Sequence, residues 1–180
     1  MKLKESAKLH ISKLDAARRQ LETAVRLYFS AADPVSIHTL TSAAHELLAG
    51  VNRTRGGPAM IEDSLLQWVK PDKVADARRR LRAAANFFKH ADRDAEETHV
   101  FSPSQTEMRL FDACEAYRSI TGELVPILAV YRLWFFLGPG ADLVDPARET
   151  TIAKLRQALP ATTREAFLAE ALPIVSTIEV

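Results

Sequence analysis

Apolar residues recur at intervals of three and four along almost the whole chain, and this spacing constrains the fold more than any other feature. On a helix that turns by about 100° per residue, residues at these intervals lie on one face. Outside residues 174–180, which form either a short strand or a tail, no segment alternates between apolar and polar residues as a half-buried strand does. The pattern predicts an all-α fold, a compact bundle of roughly six or seven helices.

Proline, glycine and capping residues divide this pattern into helices. Asp33 followed by Pro34 predicts a helix start, since aspartate caps well and proline is tolerated at the first helical position. Ser104 with Glu107 is typical of a capping box, and Gly122 of a C-cap. Outside the central stretch, the predicted helices cover about residues 4–30, 34–51, 60–69, 104–122, 123–137, 145–159 and 162–173.

The last predicted helix has its own start and stop signals. Thr162 and Glu165 have the spacing of a second capping box. Pro173 is expected to end this helix, because proline cannot donate the backbone hydrogen bond that would continue it.

Residues 71–94 are the stretch on which the functional interpretation depends, because they are expected to form one amphipathic helix with two different faces. An apolar stripe predicted to face the core consists of Val74, Ala77, Leu81, Ala84 and Phe88. A second stripe on the opposite side, here called the polar strip, consists of Arg82, Asn86, His90 and Arg93, with Arg79 beside it. A core does not require the polar strip, which is therefore a candidate binding surface.

Length and charge set limits on the function. The 180 residues fit a single helical domain over 1–180, and 47% hydrophobic with 26% charged residues is close to the average of soluble globular proteins. The formal net charge of +1 provides no general attraction to nucleic acid or membranes. Binding to a polyanion would have to use a local patch, and the one dense basic cluster is Arg78, Arg79, Arg80 and Arg82.

The sequence also indicates the cellular location of the protein and the roles of its cysteine and its aromatic block. The N-terminal lysines interrupt any apolar run that would form a secretory signal, so a cytoplasmic location is expected. The longest apolar stretch, 124–137, is shorter than the ~20 residues that span a bilayer, and no membrane partner is expected. The single cysteine, Cys114, excludes an intramolecular disulfide and is expected to be a buried thiol. The aromatic block Trp134, Phe135 and Phe136 is expected in the core or at an interface.

The heptapeptide 86–92, Asn-Phe-Phe-Lys-His-Ala-Asp, resembles the signature of HEPN-type helical domains, which occur in many prokaryotic toxin and defence RNases. In that signature an Arg, usually followed by Asn, Asp or His, precedes a His by four to six residues. Asn86 and His90 match the second half, whereas Ala85 occupies the arginine position and the nearest upstream arginine is Arg82. The resemblance covers only the central helix and implies a homodimeric site. Together with residues 33–40, the heptapeptide also resembles a group of bacterial proteins, from which no chemistry follows.

A first functional hypothesis is a dimeric binding or regulatory module, with RNA or a nucleotide as the first ligand class to test. Arg79, Lys89 and Arg93 would then bind phosphate alongside the rest of the polar strip. A second hypothesis is a protein-protein interaction domain without nucleic-acid binding. The alternative to both is a solvated helix face on which His90 pairs with Asp94.

A third functional hypothesis is a metal-independent RNase with His90, Arg82 and Asn86 as its catalytic residues. Cleaving RNA without a metal requires a base for the 2′-hydroxyl proton, an acid for the leaving oxygen and a cation over the phosphate. A histidine with an ordinary pKa near ~6.5 can exchange protons at neutral pH, and a guanidinium matches phosphate oxygens. In a two-fold dimer with crossing central helices, Arg82 of one copy would approach His90 of the other. Whether the chain is an enzyme is left open.

No metal or other cofactor is predicted. His38 and His45 share a helix face but are separated by ~10 Å of rise, too far to ligate one ion together. His90 with Asp94 has better spacing, and His45 would complete such a site only if the helices faced each other. His38 and His45 are instead expected at the edge of an apolar stripe, bonded to neighbours such as Thr41.

Overall fold

The computed structural model describes residues 8–67, 69–92 and 95–177, and all regular structure in these ranges is helical. The all-α prediction is confirmed: the described ranges contain eight α-helices, one in each of the eight predicted segments, where a bundle of roughly six or seven was expected. The helices are α1 Lys13–Phe29, α2 Pro34–Thr54, α3 Ile61–Leu66, α4 Val74–Phe87, α5 Ser104–Thr121, α6 Pro126–Leu137, α7 Glu149–Ala158 and α8 Arg164–Ser176. Short 3-10 turns occupy Pro71–Lys73, Ala141–Leu143 and Pro146–Arg148.

Helices α1, α2, α5, α6 and α8 form the packed body of the molecule. Helix α1 packs along α2 and also contacts α5, α6 and α8, while α2 packs against α5 and α6 against α8. Helix α4 lies on α2 and α3 at one side of this body, and α7 contacts α6. The polar strip is therefore on a helix at the side of the bundle.

Large aromatic and aliphatic side chains fill the space between these helices. Phe29 and Tyr131 are buried, and the Phe29 ring is stacked on Phe167 with 6.3 Å between ring centroids. Phe135 of the aromatic block is buried against Phe111 at 4.3 Å, and the half-buried Trp134 and Phe136 pack against the core. None of the helices described is both long and apolar enough to cross a membrane.

The single thiol also lies in this core. Cys114 is 1% exposed, and burial raises the pKa of its thiol well above the ordinary value. The expectation of a buried thiol is confirmed, and a thiol with a raised pKa is a poor nucleophile.

Several helix ends lie where the sequence predicts them. The Asp33 carboxylate accepts a hydrogen bond from the Ser36 N–H at 2.7 Å, and Pro34 is the first residue of α2. Helix α5 ends at Gly122, whose φ of 73° is a left-handed conformation that glycine adopts without strain. These ends follow from local backbone chemistry, which is why a sequence pattern can locate them.

The first helix begins later than predicted. Ser12 is its N-cap: the Ser12 Oγ accepts from the Asp15 N–H at 3.0 Å, and the Asp15 carboxylate accepts from the Ser12 N–H at 3.2 Å. Residues 8–12 are not helical although the prediction included them, and Ile11 is 47% exposed. The earlier part of the prediction, residues 4–7, lies outside the described residues.

The predicted capping box at Ser104 is wrong. Pro103 is the N-cap residue of α5 and no side chain caps the helix. The Glu107 carboxylate instead accepts hydrogen bonds from the Tyr28 hydroxyl at 2.7 Å and from Arg164 at 3.3 Å. Glu107 therefore links α5 to α1 and α8, and Ser104 is already the first residue of the helix.

The last helix differs from the prediction at both ends. Thr163, not Thr162, is the N-cap, and its hydroxyl accepts from the Ala166 N–H at 3.3 Å. Pro173 lies inside α8, which continues to Ser176, because one missing backbone donor near a helix end does not stop the helix. Residues 174–176 are thus helical, and the predicted strand or tail at 178–180 lies outside the described residues.

Candidate functional site

The polar strip lies on a helix that is shorter than predicted. Helix α4 covers Val74–Phe87 instead of residues 71–94, but Phe88 keeps helical dihedral angles of −74° and −11°. The His90 N–H donates to the Asn86 carbonyl at 3.1 Å, a helix-like bond. His90 therefore follows Asn86 by one turn although it lies beyond the helix.

An aromatic cluster explains why α4 ends at this point. The Phe87 ring stacks on His99 at 5.3 Å between centroids, and Phe88 meets Phe101 edge to face at 5.2 Å. Phe88 also contacts His38 of α2 at 5.9 Å. The returning chain at 99–101 thus packs against the end of α4, and 95–103 is a loop as expected.

Three members of the polar strip are available for binding. Arg82, Asn86 and His90 are exposed, and their side chains form no hydrogen bond or ion pair within residues 8–67, 69–92 and 95–177. By helix rise, Arg82 and Asn86 are separated by ~6 Å and Arg82 and His90 by ~12 Å along the axis. The fourth member, Arg93, lies outside the described residues.

The basic residues around the polar strip have carboxylate partners. These pairs are Arg78 with Asp63, Arg79 and Arg80 with Asp76, and Lys89 with Glu46. Exposed pairs of this kind contribute about 0–1 kcal/mol, so a phosphate can replace the carboxylate at little cost. Among the described cations of α4, Arg82 is the one whose charge no side chain offsets.

The predicted apolar stripe of α4 is only partly buried. Ala84 and Ala85 are the buried residues of the helix, Phe88 is half-buried, and Leu81 is 47% exposed although it was expected to face the core. Leu81 is exposed because it lies at the rim of a cavity between α4 and the helices beneath it.

Polar side chains of α2 and α5 meet below this cavity. The group consists of His38, His45, Thr106, Arg109 and Asp112, all at most 7% exposed, and is called the buried polar cluster. The His45 Nε2 lies 2.9 Å from the Asp112 Oδ2. The cluster therefore joins two central helices by polar contacts inside an otherwise apolar interface.

Asp112 also holds the start of α3. Its carboxylate accepts hydrogen bonds from the N–H of Ile61 at 3.0 Å and of Glu62 at 3.1 Å. Burial alone would raise the pKa of Asp112, but the hydrogen bonds from His45 and these two N–H groups outweigh it and hold the pKa below the ordinary value. Asp112 is thus an ionised anchor whose bonding capacity is largely used.

Arg109 is buried with part of its bonding capacity unused. Its Nη2 donates to the Glu62 Oε2 at 2.6 Å and to the Leu81 carbonyl at 3.4 Å. Its Nη1 is buried and has no partner among the described residues. The guanidinium stays charged at any physiological pH, so Nη1 is an unsatisfied cationic donor.

His38 is the second incompletely bonded member of the cluster. Its Nδ1 lies 2.9 Å from the Thr106 Oγ1, while its Nε2 is buried without a partner in the described chain. Burial lowers the pKa of His38 to about 4, with smaller contributions from the positive charges of Arg109, Lys89 and His99. The ring is therefore neutral near pH 7. The expectation that His38 and His45 bond to neighbours such as Thr41 is wrong, since their partners belong to α5.

The cavity beside this cluster has a volume of about 400 Å³, within the range of small-molecule sites. Among the residues that line it are His38, Glu62, Leu81, Met108, Arg109 and Asp112. A hollow of about 480 Å³ lies between α1 and α8, with Phe29, Leu168 and Leu172 among its lining residues. No residue that lines this hollow carries a buried polar atom without a partner in the described chain. The cavity beside the buried polar cluster is therefore the better candidate for a ligand site.

The alternative of a histidine metal site has no support in the geometry. Within the ranges that the structure describes, no three His, Cys, Asp or Glu side chains are arranged to hold a metal ion. The His45 ring is directed at Asp112, and Asp94, the proposed partner of His90, lies outside these ranges.

Arg109 and Asp112 were not singled out from the sequence, although a signal was present. Thr106, Arg109 and Asp112 recur at intervals of three in a helix whose other positions are largely apolar. On α2, His38 and His45 are seven residues apart, two turns along the same face. Two such polar stripes on predicted core helices indicate that the helices face each other through a polar contact.

Comparisons of the chain with protein-family models, with curated proteins and with solved structures gave no match. The HEPN resemblance therefore depends on the motif residues Asn86 and His90 alone.

Proposed function

We propose that this chain is a HEPN-like helical protein that acts as a dimeric binding module for RNA or a nucleotide, with the polar strip as its contact surface. The observation that supports this proposal is the contrast on α4 between Arg82, which has no partner among the described residues, and the paired cations around it. Asn86 and His90, likewise without partners in the described ranges, extend the same surface by two turns. A guanidinium, an amide and an imidazole together suit a phosphate and a base edge.

The geometry supports binding better than cleavage. A general base needs a partner that fixes its ring, and no hydrogen bond holds the exposed His90 side chain among the described residues. Arg82 and His90 of one copy are also ~12 Å apart along the helix axis. Cleavage would require the second copy of a dimer to bring its Arg82 to His90, so the RNase alternative depends on an assembly and the binding function does not.

The proposal is tested by fluorescence anisotropy with a labelled single-stranded RNA in excess EDTA. We expect saturable binding that Arg82→Ala weakens about tenfold, because one charge-assisted contact contributes about 1.5 kcal/mol. Arg118→Ala is the matched control, since Arg118 is an exposed arginine on α5, and it should bind as the wild type does.

Two readouts on the same samples separate the alternatives. Intact RNA on a gel agrees with a binding module, whereas cleavage that His90→Ala abolishes would make the protein a nuclease. Light scattering should report a dimer. Equal affinity of wild type and Arg82→Ala, or no affinity at all, would contradict the proposed function and leave a protein-protein interaction domain to be tested by partner capture.

A further inference from the structure

We infer that the cavity walled by α2, α4 and α5 is a second binding site, separate from the polar strip, and that its ligand is a small organic carboxylate. The inference goes beyond the proposed function, because it uses side chains on the buried side of α4 and needs no RNA. It depends on Arg109 and His38, two buried residues that line the cavity with polar atoms that lack a partner among the described residues.

Arg109 provides the main contact. The guanidinium is 7% exposed, and Nη2 is already used by Glu62 and the Leu81 carbonyl. A buried donor without a partner costs about 1–3 kcal/mol, and more when it is charged. A carboxylate oxygen in the cavity would satisfy Nη1 with a charge-assisted hydrogen bond, which is about twice as strong as a neutral one.

His38, on α2, provides a second donor. The Thr106 hydroxyl can donate to the His38 Nδ1, 2.9 Å away, which leaves the ring proton on Nε2. As a neutral N–H, Nε2 would donate to the ligand carboxylate beside Arg109 without adding a second buried charge. Two donors from different helices would fix the orientation of a planar carboxylate.

The charges of the cavity favour a monoanion over a phosphate dianion. Glu62 already offsets the charge of Arg109 at 2.6 Å, and Asp112 adds a second carboxylate to the wall. Arg80 lines the same cavity with a side chain that is 81% exposed, and its partner in the described part of the chain is Asp76 at 3.2 Å. This exposed cation can compensate one additional negative charge, but a dianion would face uncompensated repulsion from Glu62 and Asp112.

The remaining wall is apolar and suits the body of such an acid. Leu81, 47% exposed at the rim, and Met108 line the cavity beside the polar groups. Covering Leu81 with a ligand would remove apolar surface from water, which is favourable by roughly 25 cal/mol per Å². The volume of about 400 Å³ admits an aromatic or short aliphatic acid.

The test is an NMR titration of the full-length ¹⁵N-labelled protein with acetate, hexanoate and benzoate, beside benzamide and inorganic phosphate. We expect benzoate or hexanoate to bind with a Kd of about 1 mM or tighter and to shift amides of α2, α4 and α5 around the cavity. Benzamide and phosphate should bind at least tenfold more weakly. No saturable shift with any carboxylate, shifts confined to other parts of the protein, or equal binding of benzamide or phosphate would overturn the inference.

Variants assign the binding to the proposed side chains. Arg109→Lys keeps a cation for Glu62 but removes the Nη1 donor, and it should weaken benzoate binding about tenfold. Arg118→Lys makes the same exchange on the exposed side of α5 and should have no effect. If Arg109→Lys does not fold, Leu81→Ala at the exposed rim should still fold and weaken benzoate binding about threefold, because the ligand would cover less apolar surface. Unchanged affinity in a folded Arg109→Lys or in Leu81→Ala would contradict the assignment, whatever the RNA experiment shows.

Discussion

His38 shows how a buried titratable residue makes the stability of this protein depend on pH. Its pKa is lowered to about 4 in the folded chain from the ordinary value of 6.5, chiefly by burial. Below about pH 6.5 His38 binds a proton in the unfolded chain, whereas in the folded chain its ring stays neutral down to about pH 4. Acidification over this range therefore stabilises the unfolded state. The contribution of His38 to the free energy of unfolding is therefore present near neutral pH and lost on acidification.

We predict that the free energy of unfolding falls by about 3 kcal/mol through His38 as the pH drops from about 6.5 to about 4. Urea denaturation across this range measures the fall. In His38→Gln, which keeps a hydrogen-bonding group for Thr106, the fall should be smaller by about that amount. An identical pH dependence in wild type and His38→Gln would show that folding does not lower the pKa of this ring.

Individual residues also show which features of the candidate sites a sequence can predict and which it cannot. The exposure of Arg82, Asn86 and His90 follows from their place opposite the apolar stripe of one helix, and a sequence is sufficient for that. The roles of Arg109 and Asp112 depend on α2, α3, α4 and α5 together, since their partners are 28 to 67 residues away in the chain. Contacts of that kind cannot be read from the period of one helix.

At the scale of helices, the described residues contain a true capping box at Ser12 and a sequence at Ser104 that has only its spacing. At α1, Ser12 and Asp15 exchange hydrogen bonds in the form the motif requires. At α5, the Ser104 Oγ contacts the Ser102 Oγ at 2.9 Å, and Glu107 bonds to Tyr28 and Arg164. The second case fails because Pro103 is the N-cap of α5, so Ser104 is already helical and does not occupy the cap position.

The two serines therefore provide a matched pair of variants. Ser12→Ala should reduce the free energy of unfolding by about 1 kcal/mol, because an N-cap hydroxyl satisfies an otherwise unpaired backbone N–H. Ser104→Ala should change it by less than about 0.5 kcal/mol, as for an ordinary exposed position. Chemical denaturation of both variants checks this difference, and an equal or larger reduction in Ser104→Ala would contradict the assignment of the caps.

Helix α4 is the element for which sequence and structure differ most. Its apolar spacing is that of a helix packed along its whole length, but Leu81 is exposed at the rim of the cavity. Its C-terminal end is set by Phe87 and Phe88 packing on His99 and Phe101, a contact that the period of the helix does not contain. The periodicity therefore predicts that α4 is a helix but not how deeply it is buried.

For the molecule as a whole, the fold class could be predicted because it is the sum of many local signals that agree. The 3.6-residue period recurs in segment after segment, and helix ends such as Asp33 and Gly122 follow from backbone chemistry. The cavity could not be predicted, because residues from four separate helices, α2, α3, α4 and α5, line it together. Its two unpaired polar atoms belong to different helices, and the packing of the whole bundle brings them together.

The interaction of Arg82 with phosphate is the centre of the proposed function, and its most direct test is the salt dependence of RNA binding. Each phosphate that a protein neutralises on a single strand steepens the slope of log K against log salt concentration by about 0.7. We therefore predict a slope shallower by about 0.7 for Arg82→Ala than for wild type, with Arg118→Ala unchanged. Equal slopes for wild type and Arg82→Ala would mean that Arg82 does not touch phosphate, and the polar strip would then be an ordinary solvated helix face.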